Sequence, residues 1–166
     1  RPITRAAEPD PAEYYPALSI NDRLIAYTAI PQTVAAASHP AIGNVGSQSW
    51  DGMYAQPATE VFVIPAAGGV PVRLAANDPP ACAGAPSPGI NNSWPKWAPE
   101  ARTTGGKTYY WLIFSSWRDG ATAPNQSPIA QLYITGVVED EAGHLETHGE
   151  IDRWNQPPTT SNHTPA

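Results

Sequence analysis

Short apolar runs, each closed within a few positions by Gly, Pro, Asn or Asp, set the rhythm of this chain. The first run of alternating character, Pro16 to Ser19, predicts a strand. Ile20-Asn21-Asp22-Arg23 follows as a turn, because Asn and Asp side chains bond their own backbone and tolerate left-handed conformations. Leu24 to Ile30 is a mostly apolar second strand. Glu60 to Ile64, β-branched and aromatic, is a third. Ala67-Gly68-Gly69 supplies a tight turn, and Val70 to Leu74 returns as an edge strand, the place where Pro71 is tolerated. The pattern then begins again. Ser93 to Ala98 predicts a strand, Pro99 to Lys107 an enlarged turn closed by Gly105-Gly106, and Thr108 to Trp117 the longest strand. Ala130 to Val138 pairs next, Glu139 to Gly143 turns, and His144 to Ile151 forms an outer strand.

The two halves use nearly the same words. Tyr15-Pro16-Ala17-Leu18-Ser19 answers to Trp94-Pro95-Lys96-Trp97-Ala98, Leu24 to Thr28 to Leu112 to Ser116, and Glu60 to Ile64 to Gln131 to Thr135. His163-Thr164-Pro165-Ala166 reads as the same opening a third time. Repetition on this scale marks an architecture in which each unit buries its apolar face only against a neighbour. The expected organisation is a lead-in at residues 1–13, a first unit at 14–80, a linker loop at 81–92, a second unit at 93–160, and the start of a further repeat or a closing strand at 161–166. Residues 31–58 and the turns of the second unit are long insertions. Alternation sends Leu24, Ile25, Val61, Val63, Leu112, Ile113, Leu132 and Ile134 to the two faces of their sheets, so a terminal unit needs further units or another chain against it.

Composition narrows the fold class to all-β. Twenty prolines and 13 glycines leave no room for long helices, only a turn or two at Thr33 to Ser38, while six Trp and seven Tyr supply a core that a disordered chain lacks. A net charge of −6 without any basic stripe argues against nucleic-acid partners, and no apolar run approaches a membrane span. The single cysteine, Cys82, has no internal partner and lies in a Pro- and Gly-rich loop with no His nearby in sequence, the setting of a plain thiol.

The opening phrase, the Asx-rich turn, Leu-Ile-Ala-Tyr-Thr, and then Glu60-Val61-Phe62-Val63-Ile64-Pro65-Ala66-Ala67-Gly68-Gly69-Val70-Pro71-Val72-Arg73-Leu74 resemble a blade of the TolB-like β-propellers, relatives of the WD-repeat propellers found mostly in bacterial envelopes. The likeness covers residues 14 to 138. It departs from the family at the turn, Ser19-Ile20-Asn21-Asp22 standing where Ser-Pro-Asp-Gly is usual, and at the insertion in the second unit. It implies antiparallel four-stranded blades of a partial β-propeller with long loop insertions. It also implies a noncatalytic protein-binding or scaffold module in the periplasm or outside the cell, with a protein partner or further blades beside it. The alternative is the propeller portion of a larger hydrolase, gating a peptidase or acting on glycans.

No catalytic set is legible. His144-Leu145-Glu146-Thr147-His148 lacks the Glu directly after the first His that a zinc protease helix needs, so His144 and His148 are weak metal candidates and solvated histidines on an outer strand are the expectation. Ser115 and Ser116 have no Gly-x-Ser-x-Gly elbow, and Gly68-Gly69 is a hairpin rather than a phosphate loop; no cofactor is expected. Trp94 and Trp97 are expected in the core. Trp117, Arg118, Trp154, Asn155, Gln156 and Asn92 fall at strand ends and are the binding-surface candidates, residue types that suit a protein partner or a sugar stacked on an aromatic ring.

Overall fold

The computed structural model describes residues 13–29, 59–78, 91–118, 130–149 and 151–152. The lead-in, the Thr33 to Ser38 turn, the 31–58 insertion, Cys82, the loop at 121–128 and the third opening phrase lie outside them. Among the described residues nine strands make up most of the backbone, and the one helical element is a 3-10 turn at Ala75–Asn77. They form two antiparallel sheets. The first runs in the order β1 (Glu13–Leu18), β2 (Leu24–Ala29), β3 (Glu60–Pro65), β4 (Val72–Arg73). The second runs β5 (Asn92–Thr104), β6 (Lys107–Ser116), β7 (Gln131–Asp140), β8 (Leu145–Thr147), with β9 (Ile151–Asp152) also paired to β7.

Local chemistry sets the strand ends. Between β1 and β2 the Ser19 hydroxyl donates to Asn21 Oδ1 at 2.9 Å and accepts the Leu24 N–H at 3.0 Å, while Asp22 takes a φ of 56°. That is the Asx chemistry expected there. The edge strand β4 is shorter than the sequence suggests. Pro71 has no N–H to give the ladder, and Val70 is exposed. Beyond β4 the Asn77 amide takes over, its Oδ1 accepting the Val61 N–H and its Nδ2 donating to the Val61 carbonyl, both at 2.8 Å. The enlarged turn expected at Pro99 to Lys107 is corrected more sharply. β5 continues through Pro99 to Thr104, and Gly105-Gly106 alone reverses the chain with φ values of 57° and 73°, the mirror-image hairpin geometry that glycine adopts at little cost. The expected outer strand at His144 to Ile151 is split into β8 and β9.

Every registered pair of the first sheet has a counterpart in the second. Glu13 opposite Ala29 and Leu18 opposite Ile25 answer to Asn92 opposite Ser116 and Trp97 opposite Leu112. Tyr27 opposite Phe62 answers to Phe114 opposite Tyr133, and both ring pairs have centroids 5.9 Å apart. Phe62 opposite Arg73 answers to Tyr133 opposite Asp152, so β9 and not β8 is the equivalent of β4. Even the irregularities recur. Tyr15 and Trp94, each before a proline and inside a register shift, take φ values of 55° and 57°, a conformation non-glycine residues rarely adopt. Their rings stack on one another at 5.2 Å.

This register corrects the alignment read from the words. Leu112 is the equivalent of Ile25, not of Leu24, and in a strand a shift of one residue moves every side chain to the other face. The core follows from it. Leu24, Ala26, Val61, Val63, Leu74 and Ala76 of the first sheet pack in one buried cluster with Tyr110, Leu112, Phe114, Tyr133 and Val137 of the second. The opposite face of the first sheet, Ile25, Tyr27, Ala29 and Ile64, is a second buried cluster.

Candidate functional site

Two of the polar side chains singled out from the sequence, Arg118 and Asn92, lie at the seam between the sheets. Arg118 is only 6% exposed and Asn92 is fully buried, which corrects their assignment as binding-surface residues. Arg118 follows β6: its Nη2 donates across the seam to the Ala76 carbonyl at 2.7 Å and, within its own sheet, to Asn92 Oδ1 at 2.9 Å, and its Nε donates to Ser116 Oγ at 3.1 Å. Its guanidinium lies 5.2 Å from the Phe114 ring centroid and 4.7 Å from that of Tyr133. A planar cation placed this way is held by forked donors and by the faces of two rings. Asn92 continues the seam through its N–H to the Thr59 carbonyl at 2.9 Å and its Nδ2 to the Asn77 carbonyl at 3.1 Å. The Trp94 N–H reaches Thr28 Oγ1, and the Trp97 indole donates to the Ala17 carbonyl at 2.9 Å.

At the other end of the seam a second cluster closes it. Arg23, in the β1–β2 turn, forks onto the buried Glu139 of β7 with Nη2 to Oε1 at 2.6 Å and Nε to Oε2 at 3.0 Å. The Tyr110 hydroxyl donates to Glu139 Oε2 at 2.9 Å and accepts from Asn21 Nδ2 at 3.0 Å. The Arg23 guanidinium holds the Glu139 carboxyl below the usual carboxylate range, with the Tyr110 hydroxyl helping and burial opposing. Burial raises the Tyr110 phenol. No sequence signal joins Arg23 to Glu139, which are 116 positions apart. Both ends of the seam carry structural chemistry. A charged, hydrogen-bonded pair of this kind fixes how two sheets register against each other.

The remaining candidates divide. Trp117 is half-buried, Trp94 and Trp97 are half-buried at the seam, and Trp154, Asn155 and Gln156 lie outside the described residues. His144 and His148 are exposed. His144 Nδ1 lies 3.0 Å from Asp140 Oδ2, and His148 Nε2 lies 3.9 Å from Glu146 Oε1. Among the described residues no three His, Cys, Asp or Glu converge to hold a metal ion. Beside them Lys107, Val138, Asp140, His144, Leu145 and Glu146 line a hollow of about 160 Å³, below the size of sites that enclose organic ligands. No helix of the described residues is long and apolar enough to cross a membrane.

What sequence reasoning did not single out is the pair of rings on the outer face of the second sheet. Tyr109 and Trp111 of β6 are 39% and 50% exposed, on the side turned away from the first sheet. The strand's unbroken apolar run signals this, because a strand with one wet face would alternate. Trp111 stands opposite Gly136 of β7, and a Cβ placed on that glycine would come 3.7 Å from Trp111 Cζ3 and 3.5 Å from His148 Cδ2, so the indole edge lies close above the bare backbone.

Comparison with protein-family models, with curated proteins and with solved structures returned no match.

Proposed function

We propose that the chain is a noncatalytic protein-binding or scaffold module built from two successive blades of a TolB-like β-propeller, exported to the periplasm or the cell exterior and working beside further blades or a protein partner. The observation that carries the reading is the pair-for-pair equivalence of the two sheets, down to the Tyr15 and Trp94 backbone, together with their stacking through one buried cluster. Stacked, identically registered meanders are the way a propeller multiplies a single fold unit, and its binding surfaces lie on loops rather than in a sheet core. The family reading rests on the resemblance of the first unit's motif residues, and the cellular address rests on the family.

The side chains support binding over catalysis. The buried Arg118 and Glu139 are engaged in joining the sheets, which leaves recognition to exposed loop and face residues. The test is the complete reading frame of the gene that encodes these residues. Further blade phrases with a signal peptide support the scaffold reading. A hydrolase domain with a Gly-x-Ser-x-Gly elbow in the same frame would replace it with the runner-up, a propeller serving a peptidase or a glycan-acting enzyme.

A further inference from the structure

The two sheets are equivalent pair for pair only up to a point, and the second then runs on. Leu18 and Ile25 are joined through residues 19–24, their equivalents Trp97 and Leu112 through residues 98–111. On the next strand β3 ends at Pro65, the equivalent of Gly136, while β7 continues to Asp140 and gains β8, for which the described residues of the first sheet offer no counterpart. Repeating the unit does not require this extension. On its outer face stand Tyr109 and Trp111, 39% and 50% exposed, although Leu132 and Val138 of the same face are buried. Two residues apart on one strand, the rings leave the sheet on the same side, about 7 Å apart. Gly136 stands opposite Trp111, so no β7 side chain crowds the indole, and His148 lies beside the same glycine.

We infer that this strip binds a neutral glycan, stacking neighbouring sugar units of a gluco-configured chain on Trp111 and Tyr109. Sugars whose hydroxyls are equatorial present flat C–H faces to an exposed ring, and their hydroxyls then need polar side chains at the rim of the stack. Glu146 supplies that rim. It is registered with Val138, which is itself opposite Tyr109. Its carboxylate lies 3.9 Å from Lys107 Nζ and 3.9 Å from His148 Nε2, longer than hydrogen bonds, so it accepts from a hydroxyl without giving up a bond already made. The hollow between these side chains is too small to enclose a ligand, which makes the site a platform beside two rings. Lysine, histidine and carboxylate border it together and the chain carries a net charge of −6, a setting that disfavours an acidic polysaccharide. A protein partner covering so narrow an apolar strip would also have to desolvate Lys107 and Glu146, whose side chains are 46% and 62% exposed. The site goes beyond the scaffold role and stands on the geometry of β6 to β8 alone.

The experiment is isothermal titration of the chain with cellohexaose and with chitohexaose, with polygalacturonate as the anionic comparison. At least one of the two neutral hexasaccharides should bind, and polygalacturonate should not. Trp111→Ala should weaken binding about tenfold and Tyr109→Ala about fivefold, the losses expected where a ring is a main contact. Trp111→Phe keeps a ring and should retain most of the affinity. Glu146→Gln should weaken binding about threefold, because a carboxylate accepts from a hydroxyl more strongly than an amide does. All four variants should melt within about 2 °C of the parent, since the positions are exposed, and this separates lost binding from a lost fold. Binding of neither hexasaccharide, equal or tighter binding of polygalacturonate, or affinity unchanged in both ring-to-alanine variants would each overturn the inference. So would a native complex in which a second protein chain shields both rings from hydroxyl-radical oxidation. A hydrolase domain in the same reading frame would instead overturn the scaffold reading and leave the glycan platform standing.

Discussion

Replacing Arg118 with alanine separates a structural role from a recognition role. The side chain sends one hydrogen bond over the seam, to the Ala76 carbonyl at 2.7 Å, and one within its own sheet, to Asn92 Oδ1 at 2.9 Å, and lies against the Phe114 and Tyr133 rings. Hydrogen bonds from a charged donor contribute about 1.5–3 kcal/mol each, and a buried contact with aromatic faces about 1–2 kcal/mol. Against these stands the cost of keeping a guanidinium out of water, which the substitution removes. The balance is a loss of about 3 kcal/mol, in the range of breaking a buried polar network. For a chain of this size each kcal/mol moves the melting temperature by about 2–4 °C, so Arg118→Ala should melt about 6–12 °C lower. Arg118→Lys keeps the charge but loses the fork, and should fall between the two. Thermal unfolding followed by circular dichroism and by calorimetry is the assay. A melting temperature within about 2 °C of the parent would refute the buried seam, because exposed substitutions stay within about 0.5 kcal/mol.

Three further outcomes follow from the same geometry. Glu139 has its carboxyl held low by Arg23, so its contribution is complete at neutral pH, starts to fall below the unfolded-state value of about 4.3, and is gone once the pH drops beneath the folded value; Glu139→Gln should flatten the acid limb of a urea-midpoint profile measured from pH 7 to 3. Tyr110→Phe removes the hydroxyl between Asn21 and Glu139 and should cost about 1 kcal/mol in urea unfolding, with no change in slope. Gly106→Ala forces a side chain to a φ of 73° with its Cβ 2.7 Å from Glu141 Oε1, a clash the flexible carboxylate relieves by moving, so the loss should be the backbone strain alone, about 1 kcal/mol.

Strand chemistry was largely legible in the sequence, since β-branched and aromatic runs between Gly, Pro and Asx turns placed β1, β2, β3, β6 and β7 within a few residues of their positions, while β5 ran on to Thr104 and the outer strand was split in two. The repeat was legible too, but its register was not. Matching Leu24 to Leu112 by identity loses the true counterpart, Ile25, because residue likeness carries no information about which face a side chain takes, and only the pairing of Tyr27 with Phe62 and of Phe114 with Tyr133 settles it. Pro99 argued for a turn, yet it sits in a strand paired on one side, where its missing N–H costs the ladder little. Arg118 and Asn92 looked like surface residues because Arg and Asn usually are; their burial depends on the Ala76 and Asn77 carbonyls that follow the first sheet, a tertiary circumstance that no local pattern announces.

The central claim is that the Leu24 face of the first sheet, and not the Ile25 face, opposes Leu112 and Phe114 of the second. Nuclear Overhauser contacts from the methyl groups of Leu24, Val61 and Val63 test it directly. The account predicts cross-peaks from these methyls to the protons of Tyr110, Leu112 and Phe114, with Ile25 and Ile64 showing contacts among themselves and to Tyr27 but none to that set. Cross-peaks joining Ile25 or Ile64 to Leu112 and Phe114 would contradict the register, and with it the pair-for-pair equivalence of the two sheets.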